Sequence, residues 1–345
     1  WGGVPAGLPT ASTSVSITKT GEAVPVQILA GEAYTAKSLA LGESYQGPAY
    51  CGHLSVAGAM TNVTGLTVGG GGKGLLRIQE GGAVAVTNGA ITVGAGAGVF
   101  GTVTMTNGWL EASQHMRVGE SGTGLVFQAG GAVAVPGFIS MGYASGASGA
   151  YTNLGGIVTV GYGGISVGVS GRSTFYQSGG SVTSGLLHVG FYASGQGEYV
   201  NEGGALTVTN NGYVGEGGLG RMVQLGGRQL FSPNLYIGYE ATGSGVYTNT
   251  GGYLGVLNVF YCGYKGTGEY VQIGGTNALA NWLSVGQETN SSGRYVLLTG
   301  VVTEAANQTF RIGKFGDGRM LFQGGTVSLA NGSKLVVREG ESGTG

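Results

Sequence analysis

Apolar and polar residues alternate along this chain in short runs that glycine interrupts at near-regular intervals. Leu235 to Val256 shows the unit. Leu235-Tyr236-Ile237 ends at Gly238, Val246-Tyr247-Thr248-Asn249 follows Gly245, and Tyr253-Leu254-Gly255-Val256 follows the pair Gly251-Gly252. Each run has the period of two that belongs to a β-strand, with glycine as the separator. The glycine after Ile237 recurs at Gly42, Gly69, Gly94, Gly119, Gly142, Gly168, Gly190, Gly215, Gly238, Gly263, Gly286, Gly313 and Gly340. Ten steps separate Gly69 from Gly313, a mean period of about 24 residues. Such a period marks stacked supersecondary units, none of which buries its own apolar face alone. The pattern therefore predicts an all-β chain, a single elongated parallel β-solenoid with three short strands per coil. At ~4.8 Å between paired strands, the glycine marks imply a rod of roughly 60 Å.

The alternation also assigns faces. The first strand of each coil reads apolar-x-apolar-Gly, and pairs such as Leu66 and Val68, Ile91 and Val93, and Leu235 and Ile237 should point inward. The residue between them should face water. In four successive coils it is His188, Tyr213, Tyr236 and Tyr261, a candidate surface aromatic strip for stacking on sugar rings or on another rod. In the second strand an amide stands two positions before the glycine pair in many coils: Gln79, Gln128, Asn153, Gln177, Asn201, Gln224, Asn249 and Gln272. Met105, Leu297 and Phe322 replace it elsewhere, so the site reads as inward, an internal amide ladder whose members bond to one another from coil to coil. The opposite side of that strand carries Val200, Val223, Val271 and Val296, too apolar for a solvated surface. Either the two sides are reversed or the stripe is a candidate association surface.

Residues 1–36 lack the repeat and read as an N-terminal cap or assembly segment, and residues 37–345 as the solenoid, ending within a repeat at Glu341-Ser342-Gly343-Thr344-Gly345. That ending reads as a segment of a longer product. Glycine at 77 of 345 residues would indicate low complexity if it were aperiodic, but here it keeps register with apolar residues. The 15 basic and 16 acidic residues are sparse and balanced, which argues against nucleic acid as a partner. No run is long enough for a membrane-spanning helix, so no direct membrane insertion of this segment is expected. Cys51 and Cys262 lie about nine coils apart, beyond disulfide reach, and Cys262 stands where other coils have a buried valine.

Catalytic chemistry finds little purchase. Asp317 is the only aspartate, so neither calcium-binding β-roll repeats nor aspartate-clustered polysaccharide lyases and hydrolases fit. Glu198 and Glu202 share a coil, but Arg221 stands one coil on from Glu198, and a surface ion pair is the favoured reading over a glycosidase pair. Cys51-Gly52-His53 offers two metal ligands where a zinc site needs three or four. Glycine strings such as Gly69 to Gly72 lack the lysine and hydroxyl residue of a phosphate loop. No metal, cofactor or enzymatic activity is expected.

The units Gly195-Gln196-Gly197-Glu198-Tyr199-Val200-Asn201-Glu202-Gly203-Gly204 and Gly266-Thr267-Gly268-Glu269-Tyr270-Val271-Gln272-Ile273-Gly274-Gly275 resemble the glycine-rich repeats of autotransporter-passenger-like proteins of bacterial surfaces. The resemblance covers roughly residues 37–345 and implies export, a right-handed coil and an extracellular or cell-surface location. The expected function is structural: a self-associating subunit of a fibre, sheath or surface layer, with a homo-oligomer or polymer as its partner state. The alternative is a monomeric adhesin or glycan-binding stalk that uses the aromatic strip.

Overall fold

The computed structural model describes residues 8–18, 25–43 and 51–338. It is all-β, with no helix among the described residues, and its parallel strands stack as a β-solenoid of about 12 turns with roughly 25 residues per turn. The chain divides into two compact units, Trp1–Gly163 with Gly171–Ser173, and Gly164–Ser170 with Thr174–Gly345.

Three strands make each coil, as the alternation predicts. In the second unit the coil that contains Ser244–Asn249 continues through Tyr253–Val256 and Phe260–Cys262, and each strand pairs in parallel with its counterpart one coil on. In the first unit Phe100–Met105, Trp109–Ala112 and His115–Val118 do the same. The described part of the N-terminal stretch enters this stacking: Ser14–Ile17 pairs with Ser38 to Leu41, and Val26–Ile28 with Leu54 to Val56. The terminal repeat fragment from Glu341, together with Gly340, lies outside the described residues.

Close approach of successive coils explains the recurrent glycine. Gly238 adopts φ +71°, and a Cβ there would lie 2.3 Å from the Thr267 carbonyl oxygen of the next coil. Gly268, second in its strand, meets the preceding corner from the other side: a Cβ would sit 2.3 Å from the Gly263 nitrogen and 2.4 Å from the Ile237 carbonyl oxygen.

The core follows the predicted faces. Leu66, Val68, Ile91, Val93, Leu235 and Ile237 are buried, and on the six-residue strands Tyr151, Tyr199, Tyr247, Tyr270 and Tyr295 are wholly enclosed. The two sides of that strand are therefore not reversed. One amide departs from the expectation. Gln79 is exposed, and Ile78 occupies the inward column, in register with Met105 and 1% exposed. The corner from Gln79 to Gly82 is one residue longer than that from Ala129 to Gly131, so counting back from the glycine pair lands one place beyond the strand.

Glu304 is the charged exception in the core. It continues an apolar column between Leu279 and Leu329, only 5% exposed, and neither carboxylate oxygen makes a hydrogen bond of normal geometry. Burial pushes its carboxyl up to about 7, against a smaller opposing effect of the Ser333 hydroxyl.

Two outcomes are expected. Gly268→Ala should lower the stability of the second unit by about 3 kcal/mol in chemical denaturation, because the obstructing atoms are backbone and cannot move aside. For Glu304, the folded state holds its proton to higher pH than the unfolded chain does. Its stabilising contribution is complete below about pH 4.5 and is lost as pH rises through about 7. Amide exchange in Val301–Glu304 and Thr326–Leu329 should accelerate across that window. Glu304→Leu should abolish the pH dependence and add about 1–3 kcal/mol at pH 8.

Candidate functional site

The inward amides do not form a ladder among themselves. Gln128 Nε2 donates to the corner carbonyls of Gly131 and of Ile157 one coil on, at 3.1 and 3.3 Å. Gln177, Gln224 and Gln272 repeat the arrangement with Ala205, Tyr253 and Val301 of the following coil, each at 3.0 Å. Asn153, whose side chain is shorter, closes only its own corner, giving Nδ2 to the Gly156 carbonyl and accepting the Gly156 N–H. Asn201 makes neither kind of bond. Tyrosine completes each glutamine: Tyr151 donates to Gln128, Tyr199 to Gln177, Tyr247 to Gln224 and Tyr295 to Gln272. Burial raises these phenols well above their ordinary range and keeps them as donors. The Tyr247 hydroxyl also lies 2.7 Å from the Gln229 amide, whose Nε2 is otherwise unsatisfied. One phenolic proton serves one acceptor, so the Gln229 amide is assigned with Nε2 toward Tyr247.

A coil-to-coil amide ladder does exist, at a corner. Asn234 donates to Asn211, Asn258 to Asn234 and Asn281 to Asn258, at 3.0, 2.9 and 2.7 Å. The signal lay in the sequence: in these four coils an asparagine stands just before the first strand, at intervals of about 24 residues.

The aromatic strip is assembled but is not a platform. His188, Tyr213, Tyr236 and Tyr261 follow one another at centroid distances of 5.2, 5.2 and 4.8 Å, within 10° of parallel. Their ring faces are therefore turned along the column and spent on one another. Residues from the next corner fold back over them. Tyr239 and Tyr264 stand edge-on to the column while stacking mutually at 5.2 Å, and Glu216 pairs with His188, which is only 7% exposed. Elsewhere the same tier sets Tyr143 over Arg117 and Gln287 against Ser284.

The outward side of the six-residue strands carries two columns in strict register. One runs Glu198, Arg221, Val246, Glu269, Arg294; the other runs Val200, Val223, Thr248, Val271, Val296. Within the first column Arg221 is paired with Glu198 and Arg294 with Glu269. In the second, Val223 and Val296 are 7% and 3% exposed while Val200, Thr248 and Val271 are half-buried, so the expected stripe is flatter and less open than its composition implies.

Of the residues weighed for chemistry, Glu198 serves Arg221 and Glu202 accepts from the Tyr176 hydroxyl. Cys51 and His53 are buried in one strand. The Cys262 sulfur lies 3.3 and 3.2 Å from the carbonyl oxygens of Gly268 and Arg294, one of which takes its single proton, and burial pushes the thiol up to about 12. Among the described residues no cluster of three histidine, cysteine or acidic side chains could hold a metal. A surface depression in the first unit is lined by Gln114, His115, Pro136, Phe138 and Tyr162, with the His115 and Phe138 rings stacked at 4.7 Å.

No family profile, curated protein or solved structure matches the chain. The likeness to autotransporter passengers thus rests on the repeat units alone.

The tyrosine–glutamine bonds make a direct prediction. Tyr247→Phe leaves two buried amides short of a partner and should cost about 2–3 kcal/mol in denaturant titrations. Tyr236→Phe, on the half-exposed outer tier, should cost less than about 1 kcal/mol.

Proposed function

We propose that the chain is a structural protein, a self-associating β-solenoid subunit of an extracellular fibre, sheath or surface layer. The observation that carries this reading is the in-register outward surface of the six-residue strands, where a column of valine and threonine runs beside alternating charges. A regular β surface of this kind repeats one side chain every ~4.8 Å and fits another regular surface better than it fits a small molecule. Leu219, Leu225 and Ile273, 54%, 45% and 43% exposed, add apolar area along the same strands and their corner. The interior is committed to its own corner carbonyls and tyrosines, and a scaffold rather than a ligand chamber is the use that fits it. The extracellular assignment rests on the resemblance of the repeat units to bacterial surface proteins.

The alternative, a glycan-binding stalk, draws less support. Sugar stacking needs an open ring face, and the strip His188, Tyr213, Tyr236 and Tyr261 turns its faces inward on itself.

Electron microscopy and sedimentation across a concentration series test the proposal. Ordered assemblies or concentration-dependent oligomers are expected. Val271→Lys, at a half-buried outward position, should keep the β-sheet circular dichroism of the parent and reduce assembly at least tenfold. A parent chain that remains monomeric at every concentration would overturn the reading and return attention to glycan arrays.

A further inference from the structure

Resting on the self-association reading, we infer that the surface over Gln196–Asn201 to Ser292–Leu297 docks a second copy of itself, turned end for end about a two-fold axis that runs along the strands through Val246 and Thr248. The inference comes from the order of side chains in the two outward columns. Read from the central coil toward either end, the first column gives Val246, then Arg221 on one side and Glu269 on the other, then Glu198 and Arg294. Equivalent rungs thus carry opposite charge. The second column gives Thr248, then Val223 and Val271, then Val200 and Val296, so equivalent rungs are alike and apolar.

A two-fold axis along the strands reverses the order of coils while keeping each column opposite itself. It is one of the two-fold operations, with the axis in the plane of contact, that give an isologous, face-to-face dimer of sheets. Under it Glu198 meets the partner's Arg294, Arg221 meets the partner's Glu269, and valine meets valine along the neighbouring column. Val246 and Thr248 meet their own copies on the axis. A copy laid on without reversing the coils has its strands reversed instead: an axis along the first column would bring Glu198 to Glu198 and Arg221 to Arg221, and an axis between the columns would set the charges against valines. The column therefore selects one orientation by charge.

Neighbouring positions agree except at the outermost corner rung, where Glu202 would meet the partner's Leu298. The first residues of the strands, Gln196, Leu219, Ser244, Thr267 and Ser292, are uncharged and pair without conflict. Just past the strand ends, exposed Leu225 would meet the partner's exposed Ile273, with Thr250 at the centre. One rung further out, Tyr176 would meet the partner's Leu321. The four charged side chains are open enough to take part: Glu198 is 36% exposed, Arg221 56%, Glu269 33% and Arg294 50%. Because each is already paired within its own chain, docking joins the pairs into two four-membered groups and strands no charge. Five rungs at ~4.8 Å by six residues at ~3.3 Å give ~480 Å² per copy in projection, roughly 1,000 Å² in all. That is the lower edge of a specific interface, suited to a contact that assembly reinforces.

The test separates pairing within a chain from pairing between chains. Exchanging the partners, Glu198→Arg with Arg221→Glu, preserves the intrachain pair but sets like charges opposite the partner's Arg294 and Glu269. Sedimentation should show dimerisation weakened roughly a hundredfold or more, with the far-ultraviolet dichroism of the parent. The fourfold variant E198R/R221E/E269R/R294E restores every contact and should recover affinity to within about tenfold. If the twofold exchange associates as the parent does, or if the folded fourfold variant fails to recover, the two-fold docking is wrong while self-association stands. If the parent itself never associates, both fail.

Discussion

The hydrogen-bonded stacking of one coil on the next, at the spacing of a parallel β ladder, governs everything else in this protein. Corners have to stack as closely as strands do, and a corner has no flat ribbon to present. At Gly238 and Gly268 the backbone of adjoining coils comes within a distance that any side-chain carbon would occupy. Glycine is abundant here for contact rather than for looseness. The strands between corners then need only alternate, with every second side chain turned inside.

Stacked corners create a second requirement. Carbonyls that turn inward at a bend are lost to the ladder and need donors from inside the coil. Glutamine meets this by spanning two coils, as Gln128 does between Gly131 and Ile157, and its own carbonyl is met in turn by a tyrosine hydroxyl. The polar interior is thus a set of cross-braces between coils. Glu304, which offers only acceptors when ionised, cannot play this part, and its proton is held to compensate.

Period and alternation made the strands, the inward pairs and the glycine corners legible in the sequence. Both are consequences of a strict geometric repeat. What escaped was whatever depends on the length of a corner or the direction of a ring. Gln79 matched the amide spacing yet lies outside, because one extra corner residue shifts the register. The inward position of the amides was readable from Met105 and Leu297 at the same place, but not their partners. A side chain's bonding depends on which carbonyl the bend exposes. The tyrosine row was found correctly as a row, while the orientation of its rings is set by the tier of Tyr239 and Tyr264 that folds over it. The corner asparagines Asn211, Asn234, Asn258 and Asn281 kept a regular interval but sat among turn residues, where asparagine is expected for other reasons.

Along the inner amide column the residue type alternates: Gln128, Asn153, Gln177, Asn201, Gln224, Asn249, Gln272. Every asparagine coil also contributes the tyrosine that reaches the glutamine before it. The chemically complete repeat is therefore a pair of coils, about 48 residues, although the backbone repeats every coil. Excising one coil would bring two glutamines or two asparagines together, whereas excising a pair would keep the alternation in phase. The backbone sets the pitch of this protein, and its side chains set a period twice as long.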